Sequence, residues 1–201
     1  MIEIILATAN EGKIREFTDM FASLPVHLTS LKDRWDPLPE IEETGESFYD
    51  NSKIKADRVF EESGGVWTLA DDSGLEVDVL GGAPGVRSAR FAGSNAHSAE
   101  NNRKLLVMLR DVPPERRTAR FRCVLVLKTE PDKYLSTQGV CEGKIALCES
   151  GTNGFGYDPL FIPEGYDSTF AVIGPAEKNG ISHRAKALRQ LKEELHEFFK
   201  V

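Results

Sequence analysis

Two spacings of apolar residues run through the chain, one close to two residues and one close to three and a half. Ile2 to Ala7 is apolar except for Glu3 and predicts a short buried strand, after which Ile14, Phe17, Phe21 and Leu24 recur at helical spacing. Val26 to Leu31 predicts a second strand, and Asp36-Pro37-Leu38-Pro39 a loop. Ser47 followed by Asp50 has the form of a capping box and opens a helix expected to run to Ser63 and stop at Gly64-Gly65. The apolar run Val66 to Ala70 and the alternating run Leu75 to Leu80 flank Asp71-Asp72-Ser73-Gly74, so two adjacent carboxylates are expected where a strand ends. Gly81 to Arg90 is too rich in glycine for a regular element and predicts an ordered loop. Ser98 to Arg110 places Leu105, Leu106 and Leu109 on one helical face, closed by Pro113-Pro114. Residues 119 to 127 alternate as a long strand, with Tyr134 to Cys141 as its hairpin partner. Ser182 then suits the N-cap of a helix with Ala185, Leu188, Leu191, Leu195 and Phe198 on its apolar face.

The 201 residues, 40% apolar and 28% charged, suffice for one domain with a full core, read here as residues 1–201. A net charge of −7 argues against nucleic acid or an anionic membrane surface as partner. It leaves room for a small anion, since a few local Lys and Arg side chains with a divalent metal can hold a triphosphate. Cys123, Cys141 and Cys148 are odd in number and have no CxxC spacing, which points to neither a disulfide framework nor a zinc site. No stretch approaches the roughly 18 apolar residues of a membrane span. A cytoplasmic protein is expected.

Several polar constellations carry candidate chemistry. Asp71 and Asp72, on opposite faces of an extended chain, can hold a hard cation or take a proton from water, although Asp, Ser and Gly also form plain turns. Thr8-Ala9-Asn10-Glu11-Gly12-Lys13 enters a helix at its N-terminus, where anions are favoured; the alternative is an ordinary strand-to-helix turn, since no Walker pattern occurs. Glu42 and Glu43 lie just before the helix that carries Lys55, as metal ligands or as solvated loop residues. Gly151 to Pro159 has its glycines in the reverse of a dinucleotide fingerprint, yet Phe155, Tyr157 and Asp158 could stack a base and contact a sugar, or could tuck into the core. His183 and Arg184 occupy a helix first turn, which disfavours cations, and so suggest an acceptor ligand.

The motifs TANEGK at 8–13, EETGESFYDNSKIKA at 42–56, ADDSGLEVDVLGGAPGVRSARF at 70–91, FGYDP at 155–159 and EKNGISHR at 177–184 resemble, in this order, the inosine triphosphate pyrophosphatase family. The resemblance covers nearly the whole chain. It implies an α/β fold with a long, mixed, curved sheet flanked by helices, two lobes with the active-site cleft between them, a Mg²⁺ requirement and a homodimer. Ser52 stands where the family commonly has Ala, and Phe91 where Tyr is common.

The implied activity is hydrolysis of deaminated purine nucleoside triphosphates (ITP, dITP and XTP) to the monophosphate and pyrophosphate. Carried over by motif, Thr8, Asn10 and Lys13 meet the phosphates, with Lys55 and Lys178 adding positive charge. Asp72 is the central acid, as metal ligand or as base, and Glu42 or Glu43 completes the metal site, Glu43 being the first choice. Ser73 and the loop Phe155, Gly156, Tyr157 and Asp158 hold sugar and base, and His183 with Arg184 reads the base edge. Both of those side chains can donate, which suits the 6-oxo group of hypoxanthine and opposes the 6-amino group of adenine. The DxDG arrangement of aspartyl-nucleophile phosphatases is absent, the order here being Asp-Asp-Ser-Gly.

Overall fold

The structure, a computed structural model, describes the backbone of residues 2–199 and the side chains of residues 2–195. Phe198, expected on the apolar face of the last helix, lies outside the described side chains. The fold is α/β, with a mixed six-stranded sheet in the order β2-β1-β3-β4-β5-β6 and helices flanking it. Its strands are β1 (Ile2–Leu6), β2 (Val26–Ser30), β3 (Trp67–Val77), β4 (Thr118–Glu130), β5 (Lys133–Ile145) and β6 (Phe161–Pro163). β1 is parallel to both β2 and β3, whereas β6 runs antiparallel to β5. The chain divides into two compact units, and β3, β4 and β5 each contribute residues to both.

The first unit takes in the chain up to Asp72, Cys123–Gly139 and the residues from Arg184 onward. It holds α1 (Glu11–Phe21), α2 (Leu31–Arg34), α3 (Phe48–Glu62) and all but the first residue of α6 (His183–Phe199). Ile4, Leu6, Phe17, Phe21, Leu69, Leu125, Leu127, Leu188, Leu191 and Leu195 form its core. Each such side chain contributes about 1.5–3 kcal/mol by leaving water. Ser47 caps the helix as read, its hydroxyl accepting from the Asp50 amide, but in place of the capping box's return bond from the Ser47 amide, Ser47 Oγ donates to Asp50 Oδ2 at 2.6 Å. The helix predicted to include Leu24 instead ends at Phe21, though Leu24 still packs on the core.

α3 is tied to the β4–β5 hairpin by one carboxylate. Asp57 Oδ1 accepts from Tyr134 Oη at 2.6 Å and Lys128 Nζ at 2.5 Å, while Oδ2 accepts from Lys53 Nζ at 2.5 Å. Burial raises the Asp57 carboxyl, but Lys128, Lys53 and Tyr134 outweigh it and hold its pKa below the ordinary 3.8. A depressed carboxyl stabilises the fold above its unfolded pKa and loses that contribution as pH falls through the folded one. The unfolding midpoint of wild type should therefore exceed that of Asp57→Asn by a constant margin between about pH 7 and about pH 5. The margin should close below about pH 4, and thermal melts across this range measure it.

The second unit comprises Ser73–Arg122 and Val140–His183, with α4 (Ser98–Met108) and α5 (Pro175–Ile181). Leu75, Val77, Leu105, Leu109, Phe121, Phe161 and Phe170 lie in its core. Arg117, also buried, spends its guanidinium on carbonyls beyond the end of α4, Nε to Val112 O at 2.9 Å and Nη2 to Leu109 O at 2.6 Å, and on one after β5, Nη1 to Ala146 O at 3.0 Å. A cation suits that place because the last carbonyls of a helix lack partners within it.

The chief departure from the sequence reading is β3. It does not end at Ala70 but continues through Asp71-Asp72-Ser73-Gly74 to Val77, so the two carboxylates sit in the middle of an 11-residue strand. Asp-Ser-Gly turns where its polar groups must find local partners; here both carboxylates are bonded to side chains distant in sequence, and the backbone stays extended. Residues 78–80 and 85–90 form short 3₁₀ turns inside the stretch read as alternating strand and loop. α2, α5 and β6 span four, seven and three residues, too few for a hydrophobic period to show.

Candidate active site

Alternation along β3 sends its two aspartates to different partners. Asp72, 6% exposed, accepts from Lys55 Nζ at 3.0 Å through Oδ1 and from Asn51 Nδ2 at 3.3 Å through Oδ2. Asn51 and Lys55 are one turn apart on α3 and so share a face. Lys55 also reaches Glu43 Oε1 at 3.4 Å, which brings Glu43 and Asp72 to one ammonium; Glu42 is exposed. Asn51 Oδ1 accepts from the Gly45 amide at 2.8 Å, and a Cβ on Gly45 would lie 2.8 Å from the Asn51 amide nitrogen. Only glycine lets the 42–45 loop approach α3 this closely.

The electrostatics follow from burial and neighbours. Burial lifts the Asp72 carboxyl above its usual range, against the pull of Lys55 and Lys13, and Glu43 adds to the rise. Burial opposes the Lys55 ammonium, yet Asp72, Glu43 and Asp71 hold its pKa above that of an ordinary lysine. A carboxyl with elevated basicity beside a fixed cation is suited to accept a proton from water while an anion is held nearby.

Asp71 points the other way and is 2% exposed. Its Oδ1 accepts from Lys13 Nζ, and its Oδ2 accepts from Arg184 Nε at 2.8 Å and Cys123 Sγ at 3.1 Å. Arg184 Nη1 donates to Glu16 on α1, and the guanidinium lies 5.8 Å from the Phe17 ring centroid. Burial alone would raise Asp71, but Arg184 and Lys13 outweigh it and hold its carboxyl well below the usual range. Burial and Asp71 push the Cys123 thiol far up, so it remains a protonated donor. Arg184 is 1% exposed, and its guanidinium donates to Asp71 and to Glu16.

Thr8 and Asn10 shape the start of α1. Thr8 Oγ1 accepts from the Asn10 amide at 3.2 Å, and Asn10 Oδ1 caps the helix by accepting from the Lys13 amide at 3.1 Å. A helix N-terminus of this kind is a place that favours anions.

In the second unit, Asp158 and Lys178 are buried together, Nζ to Oδ2 at 2.6 Å. The same carboxylate oxygen accepts from the Phe155 amide at 2.8 Å, and Lys178 Nζ lies 4.8 Å from the Phe155 ring centroid. A Cβ on Gly154, whose φ is +78°, would meet Asp158 Oδ2 at 2.0 Å, so the loop closes on Asp158 only with glycine there. Tyr157 enters the core and donates to Ser88 O at 2.9 Å, while Gly156 O accepts from Asn102 Nδ2 at 3.2 Å. His183 is buried and stacks on Phe121, centroids 4.7 Å apart. Ser73 is half-buried on β3.

Residues 4–194 match the Ham1 family. The chain belongs to the Ham1 family. Its relatives include the dITP/XTP pyrophosphatases of Oceanobacillus iheyensis, 45% identical over 98% of this chain and 99% of that one, and of Bacillus licheniformis, 48% identical over 95% and 96%. Among solved structures, the HAM1 protein from Coxiella burnetii aligns with a TM-score of 0.87 at 41% identity, covering 98% of this chain and 100% of that one. The resemblance read from five motifs is borne out across the Ham1 chain, as is the mixed α/β sheet.

Asn51, Glu16 and Cys123 had no assigned role in the sequence reading, and Asp71 was read only as one of a pair of adjacent carboxylates. Asn51 had a usable signal, since it precedes Lys55 by four residues on one helix. Nothing local marks the others, which come from different elements. Of the two departures from the family pattern, Ser52 donates to Ala70 O at 3.0 Å, and Phe91 lies 4.5 Å from Lys104 Nζ.

Proposed function

We propose that this Ham1 chain hydrolyses deaminated purine nucleoside triphosphates (ITP, dITP and XTP) at the linkage between the α and β phosphates, releasing monophosphate and pyrophosphate and clearing these nucleotides from the pool. The observation that carries the reading is the buried Asp72 carboxylate, held by Asn51 and Lys55 and brought through Lys55 to Glu43. Its relatives at 45% and 48% identity, dITP/XTP pyrophosphatases, supply the substrate class.

Asp72 receives the proton of the attacking water as the new oxygen–phosphorus bond forms and pyrophosphate departs. Lys55 beside Asp72 and Lys13 beside Asp71 offset phosphate charge, and the N-terminus of α1 adds to them. Glu43 and Asp72 are hard oxygen donors, and two carboxylates completed by substrate phosphates fit Mg²⁺, the proposed cofactor. When bound, the ion supplies charge neutralisation on the phosphate oxygens. Glu42 is exposed and takes no part in this pairing. Phe155, Asp158 and His183 of the second unit are assigned to base and sugar, with Ser73, and Lys178 to added positive charge for the phosphates.

No helix among the described residues is long and apolar enough to cross a membrane. A cytoplasmic homodimer rests on composition and family resemblance, and light scattering measures the mass. The activity itself is tested by incubating the protein with Mg²⁺ and a panel of ITP, dITP, XTP, GTP and ATP and identifying both products. Monophosphate and pyrophosphate from the first three, strongly diminished without the metal, are expected. Binding without product would replace the enzyme by a nucleotide sensor, and orthophosphate as first product would indicate a phosphatase.

A further inference from the structure

Side-chain burial usually leaves a carboxylate with one cation, yet Asp71 holds three donors from three separate elements. Lys13 comes from α1, Arg184 from α6 and Cys123 from β4. Arg184 is itself braced by Glu16, three residues after Lys13 on α1, so Glu16, Arg184, Asp71 and Lys13 form a chain of alternating charge. The two inner members, Arg184 and Asp71, have side-chain exposures of 1% each, whereas the ends, Glu16 and Lys13, reach 12% and 14%. The Lys13 end lies beside the capped start of α1. Four rotatable bonds let a lysine ammonium wander, and only a fixed counter-charge near its tip restricts it.

We propose that Asp71 is a positioning residue that aims the Lys13 ammonium at substrate phosphate, and that Arg184, Glu16 and Cys123 serve by fixing Asp71. This rests on the functional reading above only in taking the ligand to be a phosphate chain. The residue next to it in sequence, Asp72, has a different task on the opposite face. Holding Lys13 in place before substrate arrives removes an ordering cost from binding, so the effect falls on phosphate affinity and on kcat/KM. A carboxylate that merely filled a buried place would affect stability and leave the contribution of Lys13 intact.

The test is a double-mutant cycle of Asp71→Asn, Lys13→Ala and the pair, read as inorganic pyrophosphate affinity by calorimetry and as kcat/KM for ITP. Each single variant is expected to lose about tenfold or more, a charge-assisted contact being at stake, and the double variant no more than either single. Losses that multiply, or wild-type affinity in either single variant, overturn the proposal. Should Asp71→Asn not fold, Asp71→Glu enters the same cycle, keeping the charge while displacing the carboxylate by one bond, with the same expected and overturning results. Pyrophosphate binding reads the cycle whether or not ITP is turned over. A wild type that binds pyrophosphate with a coupled cycle but releases none from ITP would therefore sink the enzymatic reading alone.

Discussion

Asp72→Asn is expected to leave a folded protein that no longer turns over ITP. The substitution keeps the shape of the side chain and an oxygen that can accept from Lys55, now 3.0 Å away, so the unfolding midpoint should move by only a few degrees. What disappears is the negative charge that takes a proton from water and faces a cation, a contribution worth about a hundredfold to ten-thousandfold in rate. Lys55 keeps Glu43 as a counter-charge, which limits the damage to the fold. The measurement is pyrophosphate release at saturating ITP and Mg²⁺, beside a thermal melt of the same preparation. Turnover near that of wild type would remove Asp72 from the chemistry.

Arg184→Ala is expected to have its largest effect on stability. The side chain is among the largest fully buried ones, and its loss leaves Asp71 with Lys13 and Cys123, and Glu16 without its buried cation. Removing one partner of a buried ion pair costs about 3–5 kcal/mol, or ~6–20 °C in the unfolding midpoint of a chain of this size. Sequence reasoning placed Arg184 at the base edge, where its removal would shrink the preference for ITP over ATP. Committed to two carboxylates inside the first unit, it should instead leave that ratio unchanged while lowering the melting temperature. A wild-type melting temperature together with an altered ratio would return Arg184 to the base.

Several features were legible without coordinates because their causes are local. The Ser47 cap, the helix it opens, the strand from Ile2 and the β4–β5 hairpin each follow from a periodicity or a turn signal within a dozen residues. The family, too, was readable, since five short motifs in a fixed order are a one-dimensional pattern that matches across residues 4–194. Hydrophobic spacing could not decide the course of the backbone at Asp71-Asp72. Those residues read as a turn from their own chemistry, and they lie in a strand because Lys13 on α1, Asn51 and Lys55 on α3, and Arg184 on α6 arrive from three other elements to satisfy them. Likewise, nothing local announces that Arg184, a cation at the first turn of α6, donates to Glu16 and Asp71. A buried charge is settled by whichever opposite charge the fold brings within about 3 Å, at energies that exceed any local preference, and those partners lie up to 168 positions away in the chain.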